Sequence, residues 1–184
     1  MVKIRTKISV LGDKCVGKSA ITQMFHSDGR NYPKNYIMTN GAAYISKTVQ
    51  IQDTQDSVEL FVFDISGHDL YTDIIKDYMV NTNMFIIVYD CTNEQSFRNL
   101  SDWLKMAFKI TQRVVPIVLV ANKSDADESM IKIKHSEGKM FARSNGIQFF
   151  SLSALNYKGI KEPFEYLAKV MHKSYIDKVK TLTY

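Results

Sequence analysis

Apolar residues along this chain fall into short runs separated by longer stretches with helical spacing. The short runs predict strands over Ile4–Leu11, Tyr44–Ile51, Val58–Ile65, Met84–Tyr89, Pro116–Ala121 and Gln148–Ser151. Met84–Tyr89 and Pro116–Ala121 are nearly continuous in apolar character, as strands covered on both faces of a parallel sheet require. Tyr44–Ile51 alternates instead, with Tyr44, Ser46 and Thr48 set against Ile45, Lys47 and Val49. That pattern predicts an edge strand. The polar IQDTQDS after it is too short for a helical crossover, so the second and third strands are expected to pair as an antiparallel hairpin.

Between these runs the spacing predicts helices over Lys18–His26, a short one after Leu70, Glu94–Ile110, Ser136–Asn145 and Ile160–Lys178. In the last, Phe164, Leu167, Met171 and Tyr175 form a stripe that a helix lays against a sheet. The whole alternation predicts an α/β fold. Its six-stranded sheet is mostly parallel with one antiparallel edge strand, helices cover both faces, and a ligand sits at the carboxyl ends of the strands.

Composition narrows this little. No repeat or linker divides the 184 residues, which suit one domain over 1–184. Hydrophobic residues at 45% and charged residues at 23% are ordinary for a globular chain. The net charge of +5 is spread out, which suits an anionic ligand or acidic partner surface rather than nucleic acid. Cys15 and Cys91 make neither a disulfide framework nor a metal-ligand spacing. MVKIRTKISV carries no secretory pattern. The longest apolar runs, MFIIVY and VVPIVLVA, fall short of the ~20 residues that span a bilayer. With Val2 at the second position and no cysteine in KVKTLTY, a direct lipid anchor is not expected.

Chemistry enters with GDKCVGKSA, which follows an apolar strand and opens a helix: Gly12, Asp13, Lys14, Cys15, Val16, Gly17, Lys18, Ser19 and Ala20. The glycines let the backbone N–H groups turn inward around anionic oxygens, and the helix start adds its positive end. Lys18 supplies a charge to terminal phosphates, and the Ser19 hydroxyl suits Mg²⁺. Cys15 reads as a small filler. This is a phosphate-binding loop, but by itself it names neither base nor reaction.

Three later segments narrow it. In FVFDISGHD, Asp64 ends an apolar strand where a carboxylate can reach a Mg²⁺ site, and Gly67 can bring its N–H to a γ-phosphate; an ordinary glycine turn is the equal alternative. In VANKSDAD, Asp125 can accept both guanine N1–H and the exocyclic amine, a pair adenine does not offer. Lys123 can lie along the base, and Asn122 can tie this turn to the phosphate loop. In SLSAL, Ser153, Ala154 and Leu155 follow a strand end, and the Ala154 N–H could meet a guanine carbonyl.

In that order, the motifs resemble the Ras-like small GTPases over essentially the whole chain. MTNGAAYISKTV is similar to the Rab form of the first switch, which implies that Thr39 closes over Mg²⁺ and the γ-phosphate. Register from Thr39 then puts Tyr32 against the guanine, with a solvent-exposed loop tyrosine as the alternative. Lys34 and Lys47 read as solvated charges. The segments MVK, FHSDGRNYPKNY, TVQIQDTQDSVELFVFD, VYDCTNEQSF and YLAKVMHKSYIDKV further resemble the intraflagellar transport branch of the Rab-like proteins. The resemblance implies GTP/GDP and Mg²⁺ as cofactors and a place in train B of intraflagellar transport. It also implies a small β-sandwich partner, intraflagellar transport protein 25, a link to the BBSome, and a location in the cilium or flagellum and the cytoplasm at the basal body.

Three positions depart from the family pattern. His68 stands where a glutamine usually orients the attacking water, so the catalytic set Lys18, Gly67 and His68 is expected to hydrolyse GTP slowly. Lys14 replaces a common glycine; it either obstructs an incoming arginine finger or acts as a built-in cation. Leu155 replaces a common lysine. A cycling Rab of vesicle traffic and a subunit with permanently bound nucleotide remain alternatives. A nucleotide kinase is disfavoured, because no arginine-rich lid is present. Tyr175, Ile176, Val179, Leu182 and Tyr184 exceed what one sheet-facing stripe needs; Ile176, Val179 and the tail either help cover a protein partner or reflect simple helix burial with a frayed tail.

Overall fold

The computed structural model describes residues 1–71 and 73–182, so Tyr184 of the terminal apolar set lies outside the described residues. Its strands are β1 (Lys3–Leu11), β2 (Ala42–Gln50), β3 (Ser57–Ile65), β4 (Met84–Asp90), β5 (Ile117–Asn122) and β6 (Gln148–Ser151). Its helices are α1 (Lys18–His26), α2 (Ile75–Met79), α3 (Glu94–Arg98), α4 (Leu100–Thr111), α5 (His135–Ser144) and α6 (Lys161–Leu182). The strands join in one sheet ordered β2-β3-β1-β4-β5-β6. Among the strand pairs of the described residues only β2–β3 is antiparallel, running from Ala42 opposite Ile65 to Gln50 opposite Ser57. The alternating strand is therefore an edge strand and half of a hairpin, as expected.

Two cores form because the central strands bury both faces. Met84, Ile86 and Val88 of β4 pack with α1 and α6, whereas Phe85, Ile87 and Tyr89 pack with α2, α4 and α5. In the first core Phe25 of α1 stacks on Phe164 of α6 with ring centres 3.8 Å apart. The α6 stripe follows the sheet only part of the way. Phe164 and Leu167 are fully buried, Met171 packs at the core margin, and Tyr175 is exposed.

Long-range polar contacts fasten the end of the sheet away from the strands' carboxyl termini. The Val2 N–H donates to Asp56 Oδ1 at 2.6 Å, and His172 Nε2 meets Asp56 Oδ2 at 2.9 Å. The β2–β3 turn, the entry to β1 and α6 are thereby joined. Among the described residues, no helix is long and apolar enough to cross a membrane.

Two expectations need correction. The span Glu94–Ile110 is two helices rather than one, interrupted at Asn99. Asn93 caps α3 by accepting from the Gln95 and Ser96 N–H groups. Lys47 is not a solvated charge. It shares the inner face of β2 with Ile45 and Val49, so its ammonium lies over the Phe25 ring and reaches the carboxyl end of α1. There it donates to the Phe25 carbonyl at 2.6 Å and pairs with Asp28 at 2.8 Å. A cation there satisfies carbonyls that the helix leaves open.

Candidate functional site

The parallel strands deliver their carboxyl ends, and the loops that follow them, to one edge of the sheet. There a cleft of about 570 Å³ opens, walled by the phosphate loop, the 32–39 segment, Ser66–His68, Asn122–Asp125 and Ala154–Leu155. Five segments far apart in sequence thus meet at one place. Lys14, Cys15, Gly17, Lys18, Ser19 and Ala20 face this cleft, as do Tyr32, Thr39, Gly67, His68, Asn122, Lys123, Asp125, Ala154 and Leu155.

Lys18 lies at the floor, only 6% exposed, and its ammonium donates to the carbonyls of Gly12 (2.8 Å) and Asp13 (2.7 Å). Burial lowers its pKa to about 8, while the charges of Asp64, Asp13 and Cys15 pull the other way. A cation held this way is desolvated in advance and strongly favours an anion above it.

Beside it Ser19, Thr39 and Asp64 converge. The Ser19 hydroxyl donates to Asp64 Oδ2 at 2.5 Å, the Thr39 hydroxyl lies 3.1 Å from that of Ser19, and it reaches Asp64 Oδ2 at 3.3 Å. Among the described residues, Asp64 Oδ1 is buried without a hydrogen-bond partner. Burial raises the Asp64 carboxyl, opposed in turn by the Ser19 hydroxyl, Lys18 and the Thr39 hydroxyl. Three hard oxygen donors and an orphaned buried carboxylate oxygen fit Mg²⁺, which takes one or two carboxylate or hydroxyl ligands and completes its shell with water and phosphate.

Asn122 ties three loops together. Its Nδ2 donates to the Val16 carbonyl at 2.8 Å, and its Oδ1 accepts from the Ala154 N–H at 3.1 Å. That N–H, expected from the sequence to meet a base carbonyl, is thus already held by Asn122. Lys123 is pinned by an ion pair with Asp90, which stretches its stem along the cleft wall. Asp125 and Leu155 stand exposed at the rim.

Several sequence-selected residues do not face the cleft. Ser153 is buried and turned inward, where its Oγ accepts from the Asn156 N–H at 3.0 Å and its backbone bridges to Lys158. It shapes the turn. Gly12 and Val16 lie behind the loop's inner surface, both buried. Asp13 contributes its carbonyl to the floor, but its carboxylate points away from the cleft to Asn99 and Trp103.

Other contributors went unread. Tyr36 lines the cleft and its hydroxyl meets Cys15 of the phosphate loop. Asp90, which positions Lys123, ends the apolar strand β4 as Asp64 ends β3, so the same signal could have found it. Asn99 and Trp103 carried none.

Comparison with known proteins places this geometry. The Ras family model matches residues 7–173. An intraflagellar transport protein 27 homolog of Bos taurus is 40% identical over 182 residues, covering 98% of this chain and 97% of the relative. The homolog from Trypanosoma brucei brucei is 36% identical over 183 residues, covering 100% and 98%. Ras-related protein Rab-13 of Bos taurus is 32% identical over 163 residues, covering 89% and 78%.

Proposed function

The chain belongs to the Ras family, and from that premise we propose that it is a Rab-like small GTPase acting as a subunit of the intraflagellar transport train. The observation that carries the reading is the nearly end-to-end match with intraflagellar transport protein 27 homologs. The cleft supports it. Lys18 and the N–H groups of the phosphate loop hold the β- and γ-phosphates, and Asp125, Lys123 and Tyr32 hold guanine. Ser19, Thr39 and Asp64 would hold Mg²⁺, which when bound neutralises charge on the phosphate oxygens.

Hydrolysis is slow in this reading. His68 replaces the usual water-orienting residue, and its Nδ1 accepts from the Leu70 N–H at 3.3 Å. The neutral ring then carries its proton on Nε2 and cannot accept from a water there. We expect single-turnover GTP hydrolysis below about 10⁻⁴ per second, and His68→Gln to raise it about tenfold or more. A wild-type rate at or above that of ordinary small GTPases, without a partner, would refute slow turnover.

The partner surface follows from α6. Ending at Leu182, beyond the Lys178 that the spacing predicted, the helix carries Tyr175, Val179 and Leu182 exposed beside the half-buried Ile176. These cover a small β-sandwich subunit, intraflagellar transport protein 25, within train B, and the assembly works in cilia or flagella with a link to the BBSome. A tagged protein purified from ciliated cells should bring an equal amount of that subunit together with other train components. Recovery alone, or with a membrane-recycling factor, would favour a cycling vesicle-traffic GTPase and overturn the train assignment.

A further inference from the structure

Asp13 is the only acidic residue in the phosphate loop GDKCVGK, and the fold treats its two ends differently. Its carbonyl accepts from the Lys18 ammonium at 2.7 Å. Its carboxylate leaves by the opposite side. Oδ1 accepts from Trp103 Nε1 at 2.7 Å and Oδ2 from Asn99 Nδ2 at 2.7 Å, from residues 90 and 86 positions away. Asn99 is the interruption between α3 and α4, and Trp103 follows four residues later, so both present to one face. Gln95 Nε2 donates to Asn99 Oδ1 at 2.8 Å, which leaves the Asn99 amide N–H directed at Asp13. The carboxylate therefore rests at the amino-terminal, positive end of α4. A cavity of about 430 Å³ is lined by Asp13, Asn99 and Trp103 together with Gly67 and His68.

The arrangement solves an electrostatic problem that the sequence creates. An anion on the loop that must receive phosphate repels the ligand, and once unfastened it is a local competitor for the Lys18 ammonium. The charge of Asp13 already reaches Lys18 from where it is held. Two N–H donors and the helix end offset that charge at a distance from the cleft. We propose that Asn99 and Trp103 are positioning residues for nucleotide binding: by fastening the Asp13 carboxylate to α4 they keep it off Lys18 and leave that ammonium to the phosphates. This inference rests on the reading of the cleft as a guanine-nucleotide site.

The test is a double-mutant cycle on the full chain, read as the release rate of N-methylanthraniloyl-GDP in Mg²⁺. Trp103→Phe keeps an aromatic ring and removes the donor. Release should quicken about tenfold with Asp13 present and differ by less than about twofold between Asp13→Ala and the double variant. Equal factors in the two backgrounds would show that Trp103 acts through packing alone and overturn the role. Asn99→Ala should give the same coupled pattern, and carries the cycle if Trp103→Phe does not fold. Failure of the wild-type protein to retain labelled GDP overturns the site reading and this role together. Retention with an uncoupled cycle overturns the role alone.

Discussion

Asp125→Asn should lower affinity for guanine nucleotides about 10³-fold and create affinity for xanthine nucleotides, because the change inverts one hydrogen bond at the base edge. A carboxylate offers two acceptors to the guanine N1–H and amino group. An asparagine offers one acceptor and one donor, and its donor faces the guanine amine, leaving both groups unsatisfied as the base is enclosed. Xanthine carries a carbonyl in place of that amine, so the same donor then finds an acceptor. Asp125 stands exposed at the cleft rim, so the substitution leaves both cores intact and the melting temperature should hold. Competition of GDP and xanthosine diphosphate against a fluorescent nucleotide measures the exchange. Undiminished GDP affinity would mean that another residue reads the base, and would remove the guanine assignment from Asn122–Asp125.

Gly12→Ala should be the most damaging single methyl group in the site. Gly12 has φ +138°, where side chains are strained, and a Cβ there would lie 2.2 Å from the Val88 carbonyl oxygen. Val88 is fully buried in the middle of β4, which is hydrogen-bonded on both sides within the sheet. Neither the loop nor the strand can yield cheaply. Backbone strain and overpacking together should cost about 3–5 kcal/mol, lowering Tm by about 10–15 °C. Nucleotide binding should fall with it, since the Gly12 carbonyl also holds the Lys18 ammonium. A Tm within about 3 °C of wild type would show that the β1–β4 contact is far more compliant than its burial implies.

Both variants change residues that a local sequence pattern singles out. The placement of Lys18, Ser19 and Asp125 at the cleft, of Asp64 beside Ser19 and of Gly12 behind the loop was legible because each sits in a short local pattern: a turn that needs glycine, a cation before a helix, an acid closing a strand. The β2 edge strand was legible for a similar reason, since a period of two reports which faces are covered. Asp90, an acid closing β4, lay within reach of the same logic. The inward turn of Ser153, the capping role of Lys47 and the interruption at Asn99 did not. Each depends on what another segment presents to it.

What the sequence alone determined was the layered α/β architecture, the order of the motifs and the residue types they bring to the cleft. Periodicity and residue type carry that information within a few neighbouring positions. Only the tertiary structure decided which way the Asp13 carboxylate points, which residue stretches Lys123 along the wall, and how Asn122 joins the Val16 loop to the Ala154 loop. The direction of a side chain is set by the donors and acceptors it finds, and for Asn122 and Val16 these are 106 positions apart. No local pattern encodes that distance; packing the sheet brings the partners together.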